Sequence, residues 1–314
     1  MSSPKSPPKS PSPGVASPLG DGNAVIEVDA ADADSVYAQS SPNDERQQEA
    51  EDLMHEMIRI ILDDKLFTSP LGDKVDRVLD VGCGTGQWAI EFADENPSSE
   101  VIGVDLSPIQ PSFIPPNCKF EVDDINQDWT YPKDHFDFIH IRYMTGCVPD
   151  WVEFYKKSMD HVKPGGWVEH VELSSIITSD DGTVKQGSAM QRWFEIFKEV
   201  GDKIGKTFGV SETAPEQIRE AGLVNIHERK IKIPIGTWPK DPILKNWGLW
   251  YRQFALQGLE GFVIRGLTDL LGWSFEEAQL FLMQARSELT DPHIHAYTYM
   301  TVVSGQKPIP ADES

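Results

Sequence analysis

Residues 77–86 read RVLDVGCGTG, and the QWAIEFAD that follows spaces its apolar residues as a helix does. An apolar run, a turn with glycine at alternate positions and an immediate helix are compatible with few folds. Gly82, Gly84 and Gly86 have no side chains, so the chain can turn tightly and a ligand can lie against bare backbone. The helix opening at Gln87 offers free N–H groups and the positive end of its dipole. Nineteen residues past Gly86, Asp105 closes the next apolar run, where a carboxylate can accept both hydroxyls of a ribose.

The same alternation continues. RVLDVG (77–82), EVIGVD (100–105), KFEVD (119–123), FDFIHI (136–141) and GWVEHVEL (166–173) read as strands, and Gln87–Asp94 and Trp151–Val162 as helices between them. Strands alternating with helices imply right-handed βαβ units and a parallel sheet. Lys163-Pro164-Gly165-Gly166 reads as the turn into the fifth strand. The second half predicts a helix over Gln186–Ile204, a strand over Leu223–Ile233, an aromatic-rich helical insert over 241–289 and a last strand over His295–Val303. Within the insert, Ser274-x-x-Glu277 is a capping box that starts a helix.

Ahead of the sheet, Leu53, Met54, Met57, Ile58, Ile61 and Leu62 fall on one face of an amphipathic helix and read as core packing. The first twenty residues hold six Pro and six Ser, too little apolar surface to offset ordering entropy. Residues 1–43 are therefore expected to form a disordered tail and 44–314 one folded domain. The Ser-Pro pairs of the tail read either as proline-directed phosphorylation sites or as plain low complexity.

With 28 basic against 50 acidic residues the net charge is −22, which repels phosphate backbones and argues against nucleic acid as the main partner. Cys83, Cys118 and Cys147 are odd in number and widely spaced, which suits a reducing compartment and neither a disulfide framework nor a structural metal site. No apolar run reaches the roughly 18 residues of a spanning helix. Nor does one follow the first lysines as in a secretory signal. The chain reads as soluble and intracellular, with nucleus and cytoplasm both open, since Lys5 and Lys9 are too few for a nuclear signal.

Dinucleotide sites need G-x-G-x-x-G, whereas here the spacing is G-x-G-x-G, Gln87 follows, and Asp80 stands two residues before the first glycine. This combination resembles the class I S-adenosylmethionine (SAM)-dependent methyltransferases. EVIGVDLSPIQPSFIPPNCKFEVDDINQDWTYP, FDFIHIRYMTG and DWVEFYKKSMDHVKPGGWVEHVE narrow the likeness to the LaeA-like methyltransferases of filamentous fungi, from about Asp76 to Glu172. The resemblance implies an α/β, Rossmann-like, doubly wound, mostly parallel seven-stranded sheet. It implies SAM as cofactor, with Gly82, Gly84 and Gly86 against its methionine part, Asp80 steering its amino group, Asp105 on the ribose, and Asp124 and Ile125 at the adenine. Asp123 is the alternative to Asp124, one residue off in register.

The family includes regulators of secondary metabolism that associate with velvet proteins in the nucleus, and methyltransferases of biosynthetic clusters, so either a velvet-type partner or a small-molecule acceptor is implied. A non-catalytic interaction module that keeps the fold is a third reading, against which the intact glycine turn argues. Transfer by direct displacement requires alignment rather than a metal or second cofactor. His140, Arg142 and Glu172, near the ends of the fourth and fifth strands, are candidate catalytic residues. His140 reads as either a proton acceptor or a hydrogen-bonded structural histidine. The insert places Trp247, Trp250, Tyr251, Phe254, Phe262 and Trp273 where they form either a lid over the acceptor or ordinary helix packing, with Arg252 and Arg265 as possible anion anchors.

Overall fold

Seven strands form one sheet in the order β3-β2-β1-β4-β5-β7-β6 in the computed structural model, which describes residues 45–310. The expected tail over 1–43 lies outside the described residues. The strands are β1 (Arg77–Val81), β2 (Glu100–Asp105), β3 (Cys118–Val122), β4 (Phe136–Arg142), β5 (Val162–Leu173), β6 (Val224–Pro234) and β7 (Tyr297–Gln306). The β1–β5 neighbours pair in parallel, and β7 runs antiparallel between β5 and β6. The chain order reverses between β1 and β4, whose C-terminal ends open the crevice where such sheets bind ligands.

Helix α1 (Glu45–Ile61) precedes the sheet; α2 (Gln87–Glu95), α3 (Trp151–His161), α4 (Ala189–Ile204) and α5 (Val210–Glu220) alternate with strands. Between β6 and β7 come α6 (Pro242–Arg265), a π-turn over Gly266–Leu270 and α7 (Phe275–Thr290), which make up the expected insert. Local signals set the starts of these helices. Asp150 caps α3 by accepting the Glu153 N–H at 3.0 Å, and Asp241 caps α6 ahead of Pro242. The Ser274–Glu277 capping box opens α7, with Ser274 Oγ accepting the Glu277 N–H and Glu277 Oε2 accepting the Ser274 N–H.

Apolar side chains on both sheet faces make the core. On one face Leu79, Ile139 and Val168 pack against Trp151 and Tyr155 of α3 and Ile218 of α5. On the other, Val78 and Phe138 meet Trp88 and Phe92 of α2, while Val171 and Met300 meet α1, α4, α6 and α7. The Lys163–Gly166 segment is no simple turn. Pairing with β4 jumps from Phe136↔Val162 to Phe138↔Trp167, so these residues bulge, and Gly165 and Gly166 pair with Lys307 beyond β7 instead.

Candidate active site

The glycine turn leaves β1 with Gly82, Gly84 and Gly86 at φ 69°, 53° and 82°, in the left-handed region. Their surroundings differ from a wholly ligand-facing turn. A Cβ on Gly82 would lie 2.0 Å from Met144 Sδ and one on Gly86 2.4 Å from Phe120 Cζ, so two of the glycines admit neighbouring side chains. Gly82 and Gly84 line the cavity above the turn, together with Cys83 and Thr85. The turn is tied to β2, where Asp105 Oδ2 accepts the Gly84 N–H at 2.9 Å and Oδ1 the Ser107 N–H at 2.9 Å. Burial pushes the Asp105 carboxyl up despite those two donors, and it faces the cavity. Gln110 Nε2 bridges the Gly84 and Ser107 carbonyls at 2.7 and 2.8 Å, which explains why the 107–111 loop sits over the turn.

After β3, Asp124 holds its own loop. Its Oδ1 accepts the Asn126 N–H at 2.9 Å and its Oδ2 accepts from Gln127 Nε2 at 3.3 Å. Asp123, Ile125 and Asn126 line the cavity and Asp124 does not.

Two of the three candidate catalytic residues do not reach the cavity. His140 is fully buried, stacked on Trp88 at 3.8 Å, with Nδ1 2.8 Å from Asp80 Oδ1. Burial lowers its basicity more than Asp80 raises it. Asp80 and His140 are in-register partners on β1 and β4; Asp80 Oδ1 meets His140, while Oδ2 is buried without a hydrogen-bond partner among the described residues and the carboxylate does not line the cavity. Glu172 is equally buried and accepts the Met144 and Leu173 N–H groups at 2.9 and 3.0 Å, anchoring the loop after β4. Nearby, His170 accepts or donates to Tyr155 Oη at 2.7 Å, and Glu169 accepts the Thr68 and Ser69 N–H groups.

Arg142 does line the cavity. Its Nη1 donates to His55 Nδ1 at 3.0 Å, and since guanidinium only donates, the His55 proton sits on Nε2, 3.0 Å from Glu91 Oε2. Burial, Arg142 and Arg59 push His55 down to about 3, so it is neutral at ordinary pH. Ligand atoms of His55, Glu56 and Glu91 cluster within 4.8 Å, yet Arg142 and Arg59 already engage His55 and Glu91, a cationic setting unsuited to a metal ion.

The residue that sequence reasoning missed is Glu51. Helix α1 turns Met54, Met57, Ile58 and Ile61 into the core, and Met54 also reaches the cavity wall beside Gln47 and Glu51. Glu51 Oε2 is buried without a hydrogen-bond partner among the described residues, and a Cβ on Gly84 would lie 2.5 Å from it. Burial, then Asp105, push the Glu51 carboxyl up to about 7. A carboxylate and a guanidinium that both lack ionic partners among the described residues, beside a glycine turn, suit a zwitterionic amino-acid group with Glu51 at its ammonium and Arg142 at its carboxylate. SAM is such a ligand, and Asp105, Asp123 and Ile125 line the same cavity.

From there the same cavity, of about 300 Å³, runs into a chamber walled by Trp193 and Phe197 of α4 and Tyr251, Phe254 and Phe262 of α6. Trp247, Trp250 and Trp273 pack on the core cluster instead, so the insert divides between wall and scaffold. Arg265 lines the cavity and Arg252 does not.

This sheet order, with β7 antiparallel and a glycine turn tied to the acid that closes β2, defines a class I SAM-dependent methyltransferase. A family model described as a methyltransferase domain matches residues 53–228. The chain is 39% identical over 268 residues to methyltransferase pytC of Aspergillus terreus, covering 85% of this chain and 82% of that one. It is 34% identical over 273 residues to secondary metabolism regulator LAE1 of Cochliobolus heterostrophus, covering 85% and 89%. The chain belongs to this family and is a LaeA-like methyltransferase with SAM as its cofactor. Among solved structures, phosphoethanolamine N-methyltransferase 2 of Haemonchus contortus in complex with SAM is similar at 19% identity and a TM-score of 0.47, over 81% of this chain and about half (52%) of that one. Among the described residues no helix is long and apolar enough to cross a membrane.

If Asp105 holds the ribose, Asp105→Ala should weaken SAM binding by roughly 1–3 kcal/mol, the loss of charge-assisted hydrogen bonds. An unchanged dissociation constant in a calorimetric titration would remove Asp105 from that role.

Proposed function

We propose that this chain transfers a methyl group from SAM to an apolar small molecule held in the chamber between α4, α6 and the loop after β4. The observation that carries this reading is continuity: the glycine turn and the aromatic wall belong to one cavity. The chamber's aromatic wall of Trp193, Phe197, Tyr251, Phe254 and Phe262 suits an apolar small acceptor. SAM, when bound, supplies a sulfonium-activated methyl. The chain's own part is alignment and exclusion of water. Glu172 fixes the Met144 backbone, Tyr143 N–H donates to Val171 at 3.0 Å, and the loop carrying Tyr143–Cys147 is thereby held against the cavity. Positioning of this kind contributes several kcal/mol, part of the roughly 7–11 kcal/mol open to proximity effects.

The similarity to a named secondary metabolism regulator favours a second reading, a regulatory role within a velvet-type protein complex in the nucleus. Phe113, in the loop after β2, is 95% exposed and offers such a partner an apolar contact. Incubating the full chain with methyl-labelled SAM and a fungal extract separates the two. Label in organic-extractable small molecules supports the first, and label confined to protein supports the second.

A further inference from the structure

On a chain with 50 acidic and 28 basic residues, one cavity is lined by three cationic side chains, of which Arg142 lies near Glu51 at the glycine turn. The carboxylates in its wall are Glu51, Asp105 and Asp123, all beside the glycine turn or the loop after β3. The helical layer instead supplies Lys206 and Arg265, and neither ion-pairs with a carboxylate among the described residues. Both are placed by backbone devices. Gly205, at φ 70°, reverses the chain at the end of α4, and the Lys206 N–H donates back to Gly201. Arg265 ends α6 where the π-turn begins, and π-turns re-aim side chains at functional sites.

The second observation is the lack of a proton acceptor on that side. No histidine lines the cavity among the described residues. Burial raises the phenols of Tyr143 and Tyr251, so both keep their protons near neutrality. Glu51 titrates in range but faces Gly84, at the cofactor end. A neutral alcohol or amide acceptor would need a base that this chamber does not supply.

Resting on the small-molecule reading above, we propose that the acceptor is an apolar molecule whose nucleophilic oxygen is already ionised at neutral pH, a carboxylate or an acidic enolate, with Lys206 and Arg265 holding its negative charge. The oxygen's lone pair forms the O–CH₃ bond while the S–CH₃ bond breaks and its pair stays on sulfur. The acceptor's −1 and the sulfonium's +1 cancel, and no proton moves. An ester or enol ether leaves with S-adenosylhomocysteine. Loss of the acceptor's charge also removes its hold on Lys206 and Arg265, which favours product release.

The test uses two probes of matched shape, the anion 1-anilinonaphthalene-8-sulfonate and the neutral N-phenyl-1-naphthylamine. Both are titrated by fluorescence into the full chain saturated with S-adenosylhomocysteine. The double substitution K206Q/R265Q should weaken the anion by about tenfold or more, the effect of losing charge-assisted contacts, and leave the neutral probe within about twofold. Equal effects on both probes, or none on the anion, overturn the proposal. Ala255→Trp, which fills the chamber, should displace both probes. If it displaces neither, the small-molecule chamber itself is refuted and the proposal falls with it, an outcome distinct from a failure of charge selection alone.

Discussion

Replacing Gly84 with valine is expected to abolish SAM binding in a calorimetric titration while the protein stays folded. Gly84 has φ 53°, so any β-branched residue there is strained by on the order of 1–3 kcal/mol. Its Cβ would fall 2.5 Å from Glu51 Oε2, and the branch would enter the cavity that Gly84 lines. The Gly84 N–H that positions Asp105 would shift as well. Gly182→Val is the matched control, because that residue has φ 70° with nothing within 4 Å of a Cβ, so it carries the backbone strain without the steric conflict. Gly182→Val should lower Tm and keep SAM affinity. Wild-type affinity in Gly84→Val would remove the glycine turn from the cofactor site.

Glu51→Gln should stabilise the SAM-free protein and weaken SAM binding together. The folded-state carboxyl lies at about 7 against an ordinary 4.5, so the folded chain holds that proton more tightly than the unfolded chain. Stability therefore falls as pH rises from about 4.5 to 7, by up to about 3 kcal/mol, and stays lowered above that window. Glutamine has no charge to desolvate, so at pH 8 its variant should melt higher than wild type. SAM affinity should move the other way. Above pH 7 the ionised Glu51 attracts the cationic cofactor, so wild-type affinity climbs between pH 6 and 8, and the Glu51→Gln profile should be flat and roughly tenfold weaker at pH 8. Parallel profiles for the two proteins would show that Glu51 does not meet the cofactor.

What could be seen in the sequence was local. The turn, Asp105 at the end of the next strand and the Ser274 capping box each depend on spacings of a few residues or on one βα unit, and all three stand as expected in the fold. Asp123 against Asp124 turns on a single residue of register in a loop, where periodicity gives no guidance. His140 looked catalytic because its partner is invisible in one dimension. Only the in-register pairing of β1 with β4 sets it on Asp80, and only α2 lays Trp88 over it. Glu51 escaped notice for the opposite reason. It sits on a helix whose Met-rich stripe announces burial, and nothing in that stripe says that one turn of it overhangs a glycine thirty-three residues later. The Lys163–Gly166 segment read as a turn from its Pro-Gly-Gly, whereas Lys307, far along the chain, pairs with it as an edge.

Helix α1 is stitched to α6, with Arg46 Nε donating to the Gln257 carbonyl at 3.1 Å and Gln257 Nε2 to Glu49 at 2.5 Å. The helix that overhangs the glycine turn and the one that supplies the aromatic wall of the cavity are thus joined, although nearly two hundred residues separate them. Chimeras between relatives that exchange only the stretch between β6 and β7 should inherit a mismatched seam, and those that also carry over the leading helix should work. Divergence in acceptor choice would then leave paired changes at two distant places in the gene.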